Sequence, residues 1–198
     1  MQIPNFIEVP DEVQRTEGKY ILFLGRIHWK KGIENLIQAI AMTKEFIESD
    51  HVLKIAGKGA PGYEAQLRKL AADLKVTEKI EFVGQVEGHE KQKLLADAFW
   101  TIMPSHTENF GLVVLESLAQ NTPVIASKGS PWEVLETEKL GFWVENSPEE
   151  LSRTLRRIVA MDASEYEDYR SRGRAFVIEN FDIKKNIRKW ADTYRGLI

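Results

Sequence analysis

The feature that most constrains this chain is a regular alternation of short apolar runs with stretches of helical periodicity. KYILFLG (19–25), HVLKIAG (51–57), KIEFVG (79–84), WTIMPS (100–105), TPVIAS (122–127) and GFWVE (141–145) each read as a strand. Between them, residues 32–48 carry apolar positions at 33, 36, 37, 40 and 47, the spacing of one helix face. YEAQLRKLAADL (63–74), HEKQKLLADAF (89–99), the segment after Asn109 and a short piece around WEVLETE read as further helices, and everything from Pro148 onward looks helical. Strands and helices alternating through short loops predict a parallel sheet with right-handed crossovers. Runs such as ILFL and VIA, apolar at consecutive positions, fit strands covered on both faces. The expected fold class is therefore α/β, a single Rossmann-like doubly wound sheet. Residues 1–18 hold two prolines, several charges and no periodicity, and are expected to be a linker or lead-in to a domain spanning 19–198.

Bulk properties narrow the function classes. At 43% hydrophobic and 29% charged, the sequence suits a globular domain, and its net charge of −3 offers no electrostatic footprint for nucleic acid. It contains no cysteine, which excludes a disulfide framework, a zinc–thiolate site and a thiol nucleophile and fits a reducing compartment. No apolar run approaches the ~18 residues of a membrane span, and the N-terminal segment lacks the pattern of a secretory signal.

In an open parallel sheet, ligands bind outside the carboxyl ends of the strands. The loop after the first strand, from Gly25 to Gly32, crowds Arg26, Lys30, Lys31 and His28 just before a helix. A helix N-terminus already carries about +0.5 charge, so cations there are poorly placed unless an anion joins them. Two readings stand: a diphosphate site with Arg26 as bidentate donor and Lys31 as point charge, or a solvated basic loop. After the second strand, the segment from Gly57 to Gly62 matches G-x-G-x-x-G. Its context is wrong for a dinucleotide fingerprint, because a strand and helix precede it and Glu81 falls within the next strand, so a tight glycine turn is expected.

The richest segment is PSHTENFGLVVLESL (104–118). Glu108 sits where a strand becomes a helix, followed by Asn109, Phe110, Gly111 and Leu112, and Glu116 lies further down that helix among apolar neighbours. Eight helical positions rise about 12 Å. That exceeds the ~5–9.5 Å between paired glycosidase carboxyls, so the two acids suit two parts of one extended ligand rather than one bond. His106 is expected to be an ordinary polar loop residue, since no metal-ligand spacing surrounds it. The chain has no D-x-D pair and no His/Asp/Glu cluster at metal spacing, so no metal is expected and positive charge must come from Arg26 and Lys31.

GRIHWKKG, IAGKG, IEFVG, PSHTENFGLVVLESLA and TPVIASKGSPWE, in that order, resemble the nucleotide-sugar-binding C-terminal domain of family-four retaining glycosyltransferases of the GT-B fold. The similarity runs from about Lys19 to the C-terminus. It implies that Arg26 and Lys31 bind the donor diphosphate and stabilise it as leaving group, that Glu108 contacts the donor sugar, and that Glu116 binds the ribose hydroxyls. It further implies donor contacts from Gly25, Gly57, Asn109, Phe110, Gly111 and Leu112, with the backbone at Val86 meeting the base. The implied substrate is a nucleoside-diphosphate sugar, a UDP- or GDP-sugar, with no cofactor. Two departures, Gly129-Ser130 where the family usually has two glycines and Asn109 where it often has glycine, fall near sugar and phosphate. The Ser-Pro-Trp-Glu variant resembles bacterial members that build surface polysaccharides.

Full enzymes of this type have two Rossmann-like domains, so the chain is expected to be a C-terminal half, with 1–18 the hinge from an N-terminal acceptor domain. By itself it should bind donor but transfer sugar poorly. The implied location is the cytoplasm. A C-terminal helix carrying Lys184, Lys185, Arg188, Lys189 and Trp190 suits either packing on that other domain or contact with an anionic membrane face. A sugar-nucleotide epimerase and a non-catalytic nucleotide-sugar-binding module are the alternatives of the same architecture.

Overall fold

The computed structural model describes residues 6–187. Six strands form one all-parallel sheet: β1 (Tyr20–Leu24), β2 (Val52–Ala56), β3 (Ile80–Gly84), β4 (Trp100–Met103), β5 (Val124–Ser127) and β6 (Gly141–Val144). Their spatial order is β3-β2-β1-β4-β5-β6, so the winding reverses between β1 and β4. Register is regular, Tyr20 opposite Val52 on one side of β1 and Ile21 opposite Trp100 on the other.

The apolar runs become strands because both faces are buried. In β1, Ile21 and Phe23 point to one layer, while Tyr20 and Leu22 point to the other. The first layer holds α1 (Ile33–Met42), α2 (Lys44–Glu48), α3 (Pro61–Asp73) and α7 (Pro148–Val159), which pack Leu36, Phe46, Leu67 and Leu155 onto Trp100 and Phe142 of the sheet. The second holds α4 (Gly88–Asp97), α5 (Leu112–Ala119), α6 (Val134–Thr137) and α9 (Gly173–Phe181), closing over Leu22, Met103 and Val124. A further helix, α8 (Ala163–Arg170), contributes Tyr169 to the first layer. Residue burial follows strand position: all four residues of central β4 are buried, whereas edge strand β3 carries an exposed Glu81 paired to Lys54 at 3.5 Å.

One expectation needs correction. Residues 32–48 form two helices, not one. Thr43 has extended backbone (φ −107°, ψ 92°), and its hydroxyl turns back to the Ala39 carbonyl at 2.7 Å and meets Ser152 of α7 at 2.7 Å. The described part of the lead-in packs against the domain. The Ile7 amide donates to the Phe181 carbonyl at 3.0 Å, and Ile7 and Val9 pack under α5 and α9. The Gln120 side chain bridges Val13 and Asp11, each at 3.0 Å. At the far end, Lys184 pairs with Glu8 at 2.9 Å, and Lys185 pairs with Glu179; Arg188, Lys189 and Trp190 lie outside the described residues.

Candidate functional site

Two loops meet where the winding reverses. The first leaves β1 at Gly25. Ile27 bridges to Gly59 of the next loop, its amide donating to the Lys58 carbonyl at 3.1 Å. Residues Trp29–Lys31 form one 3-10 turn, opened by His28, whose Nδ1 accepts from the Lys30 amide at 3.3 Å. Gly32 closes the turn at φ 62°, a conformation that favours glycine, and a Cβ there would lie 2.1 Å from the Pro104 carbonyl oxygen. The Lys30 carbonyl accepts from the His106 amide at 2.9 Å, so the basic loop is tied to the loop after β4.

That second loop is fixed equally closely. The Glu108 amide donates to the Gly129 carbonyl at 2.8 Å, and Gly129 passes so near that a Cβ would sit 2.3 Å from the His106 carbonyl oxygen. The Trp132 indole donates to the Phe110 carbonyl, and Trp132 is buried beneath the Phe110 ring with centroids 5.1 Å apart. Ser130, one of the departures from the family pattern, is buried and donates to the Ser127 carbonyl at 2.6 Å. Gly111 caps α5 at φ 82°, and no side chain caps that helix N-terminus.

Between the loops, at the carboxyl edge of the sheet, lies a cavity of about 400 Å³. Its walls come from both sides of the reversal, Phe23, Leu24 and Gly25 from the end of β1, and Met103 and 108–113 from the end of β4. Four charged side chains face it in two pairs. The Lys31 ammonium meets the Glu108 carboxylate, with side chains 24% and 18% exposed. Lys91, from α4, meets Glu116 at 2.8 Å. The cavity therefore combines two cations, two anions and the uncapped N-terminus of α5, a set able to hold a ligand bearing both anionic and hydroxyl groups.

Of the residues singled out by sequence, Gly25, Lys31, Glu108, Asn109, Phe110, Gly111, Leu112 and Glu116 line this cavity. Arg26 is exposed and is not a wall residue. Gly57 packs on the backbone of Gly25, where a Cβ would meet the Gly25 carbonyl oxygen at 1.9 Å. Val86 is buried in the core beside Leu95 and Ala98. His106 is an exposed loop residue, its ring nitrogens 3.3 Å from Glu34 and 3.2 Å from Asn146. Sequence reasoning missed Lys91. Its signal was a lysine in the first turn of the HEKQKLL helix, where the helix dipole disfavours a cation. Among the described residues no group of three His, Asp or Glu side chains is placed to hold a metal ion.

A second cavity, about 460 Å³, opens at the amino edge, between Arg15, Lys19, His51, Phe99 and Tyr166. It is on the wrong side of the sheet for a ligand held by strand–helix turns.

The family model for glycosyl transferases group 1 matches residues 6–176. The chain belongs to this family. An uncharacterized glycosyltransferase of Methanocaldococcus jannaschii, MJ1607, is 39% identical over 131 residues, which are 66% of this chain and 33% of that protein. Among solved structures, Anabaena Alr3699/HepE in complex with UDP and glucose superposes with a TM-score of 0.79 at 21% identity, over 91% of this chain and 49% of that one. The C-terminal domain of the glycosyl transferase group 1 protein LpcC of Francisella tularensis gives a TM-score of 0.74 at 23% identity, covering 84% of this chain and 88% of that domain. The family's Rossmann-like half of a GT-B architecture is the fold seen here. The chain spans about a third of the length of the curated relative and about half of the Anabaena chain.

Proposed function

We propose that this chain is the donor-binding, C-terminal domain of a retaining glycosyltransferase. It moves a sugar from a UDP- or GDP-sugar to an acceptor held against a second, N-terminal domain, to which residues 1–18 are the hinge. One observation carries this reading: Glu108 and Glu116 face a single cavity at the switch point, each paired with its own lysine. In it, Lys31 and the uncapped end of α5 meet the diphosphate, with Arg26 of the loop after β1 as a further donor. Glu108 accepts from the donor sugar's hydroxyls and Glu116 from the ribose. Negative charge developing on the leaving diphosphate is met by Arg26 and Lys31 without a metal ion. That the Anabaena structure is a complex with UDP and glucose supports a nucleotide-sugar ligand. Family likeness favours a role in surface polysaccharide or glycoconjugate synthesis on the cytoplasmic side.

Calorimetric titration of the chain with UDP, GDP, ADP and their hexose conjugates tests it. One base should bind, and Glu116→Ala should weaken it by about tenfold, the worth of hydrogen bonds to a charged acceptor. Binding of none, or binding indifferent to Glu116, would overturn the reading.

A further inference from the structure

Lys91 belongs to neither loop of the basic or the two-glutamate segment, yet it lines the same cavity. It sits in the first turn of α4, where the helix dipole opposes a positive charge, and the acid of that turn is Glu90. Its Nζ reaches across to α5 and donates to Glu116 Oε1 at 2.8 Å. Lys91 and Glu116 are 27% and 26% exposed, so water screens the pair only in part. Among the described residues, Lys91 is the partner of the Glu116 carboxylate. Leu112 and Val113, on the same helix as Glu116, also line the cavity.

Resting on the donor-site reading above, we infer that Lys91 is the positioning residue for the donor's ribose. By holding Oε1, it leaves Oε2 to accept from the vicinal ribose hydroxyls. A free glutamate would lose its rotamer freedom each time a ligand bound, whereas one already pinned loses little. The second lysine pair divides the labour. Lys31 and Glu108 serve the phosphate and sugar end, and Lys91 and Glu116 serve the nucleoside end. Lys91 therefore acts on affinity through a particular pair of hydroxyls, not through the net charge of the cavity.

The test compares UDP, GDP and ADP with their 2′,3′-dideoxy counterparts by calorimetry, on the wild-type chain and on Lys91→Met, Lys91→Gln and Lys91→Arg. Wild type should prefer the ribose form of its nucleotide by about tenfold or more, since two hydrogen bonds to a carboxylate are lost in the dideoxy form. Lys91→Met and Lys91→Gln should bring that preference to within about threefold of unity, and Lys91→Arg should keep it. Circular dichroism establishes that each variant is folded, and two uncharged replacements guard against one that is not. If ribose and dideoxy forms weaken equally in Lys91→Met and Lys91→Gln, with the preference intact, Lys91 contributes only charge and the inference falls while the donor site stands. If wild type binds no nucleoside diphosphate, or binds both forms alike, the donor-site reading itself falls and the inference with it.

Discussion

Lys31 and Glu108 neutralise one another, and both side chains are mostly buried. Such a pair is costly to break without a replacement partner. On the donor-site proposal, a donor diphosphate would supply that partner for Lys31 and release Glu108 toward the sugar. Bare nucleoside diphosphate offers only the first half of this exchange. Glu108→Gln should therefore tighten binding of the bare diphosphate about threefold or more, because the cavity loses an anion that competes for Lys31. The same substitution should erase the extra affinity contributed by the hexose of the conjugate. Calorimetry on both ligands separates the effects. Weaker binding of the bare diphosphate would mean instead that Glu108 holds Lys31 in its working position.

At the scale of elements, the loops are set by glycines whose roles are distinguishable. Gly57 has φ +142°, and a Cβ there would lie 1.9 Å from the Gly25 carbonyl oxygen, whereas a Cβ on Gly62 in the first turn of α3 meets nothing within 4 Å. Gly57→Ala should cost about 3 kcal/mol through strain and overpacking and should also disturb the cavity rim at Gly25. Gly62→Ala should stabilise by about 0.4–1 kcal/mol. Urea unfolding of the two variants gives both signs. These contacts also mark the limits of legibility. The sequence pattern shows Gly57-x-Gly59-x-x-Gly62 as a turn, and the structure adds that Gly57 and Gly59 serve the approach of the loop after β1, which no local pattern encodes. Strands such as Tyr20–Leu24 were legible because burial on both faces demands consecutive apolar residues. The break at Thr43 was not, since Ile47 continues the apolar face and the hydroxyl's partner Ser152 lies on distant α7. Likewise Glu108 and Glu116 were visible because one loop and one helix carry both, while Lys91 enters from another strand–helix unit.

Across the whole molecule, the lead-in closes the fold on itself. Arg174 of α9 donates to the Pro10 carbonyl at 2.9 Å and the Ala119 carbonyl at 2.6 Å, and Arg15 donates to the Tyr166 hydroxyl at 2.9 Å. Arg15 and Tyr166 stand at the amino edge, opposite the cavity at the carboxyl edge, beside His51. The His51 ring stacks on Phe99 with centroids 4.6 Å apart, and its buried Nδ1 has no hydrogen-bond partner among the described residues. Burial holds its pKa below the ordinary histidine value, the Lys19 and Lys79 charges act in the same direction, and Asp50 opposes them. Between the lowered folded value and the ordinary unfolded one near 6.5, the unfolded chain takes up a proton that the folded chain refuses. The stability contributed by neutral His51 is thus fully present above that ordinary value and is lost as pH falls toward the folded one. For one proton the loss is at most about 1.4 kcal/mol per pH unit. The exposed acids with lowered pKa values, Glu8, Glu45, Asp50 and Asp168, act in a separate, more acidic window. Urea midpoints should therefore fall between pH 7.5 and 5.5 in the wild-type chain. In His51→Phe, which can keep the stack on Phe99 but cannot take a proton, they should stay level. Because the ring lies at the far edge of the sheet, nucleotide affinity in the folded chain should be the same in both proteins. An unchanged slope in His51→Phe would assign the acid sensitivity elsewhere.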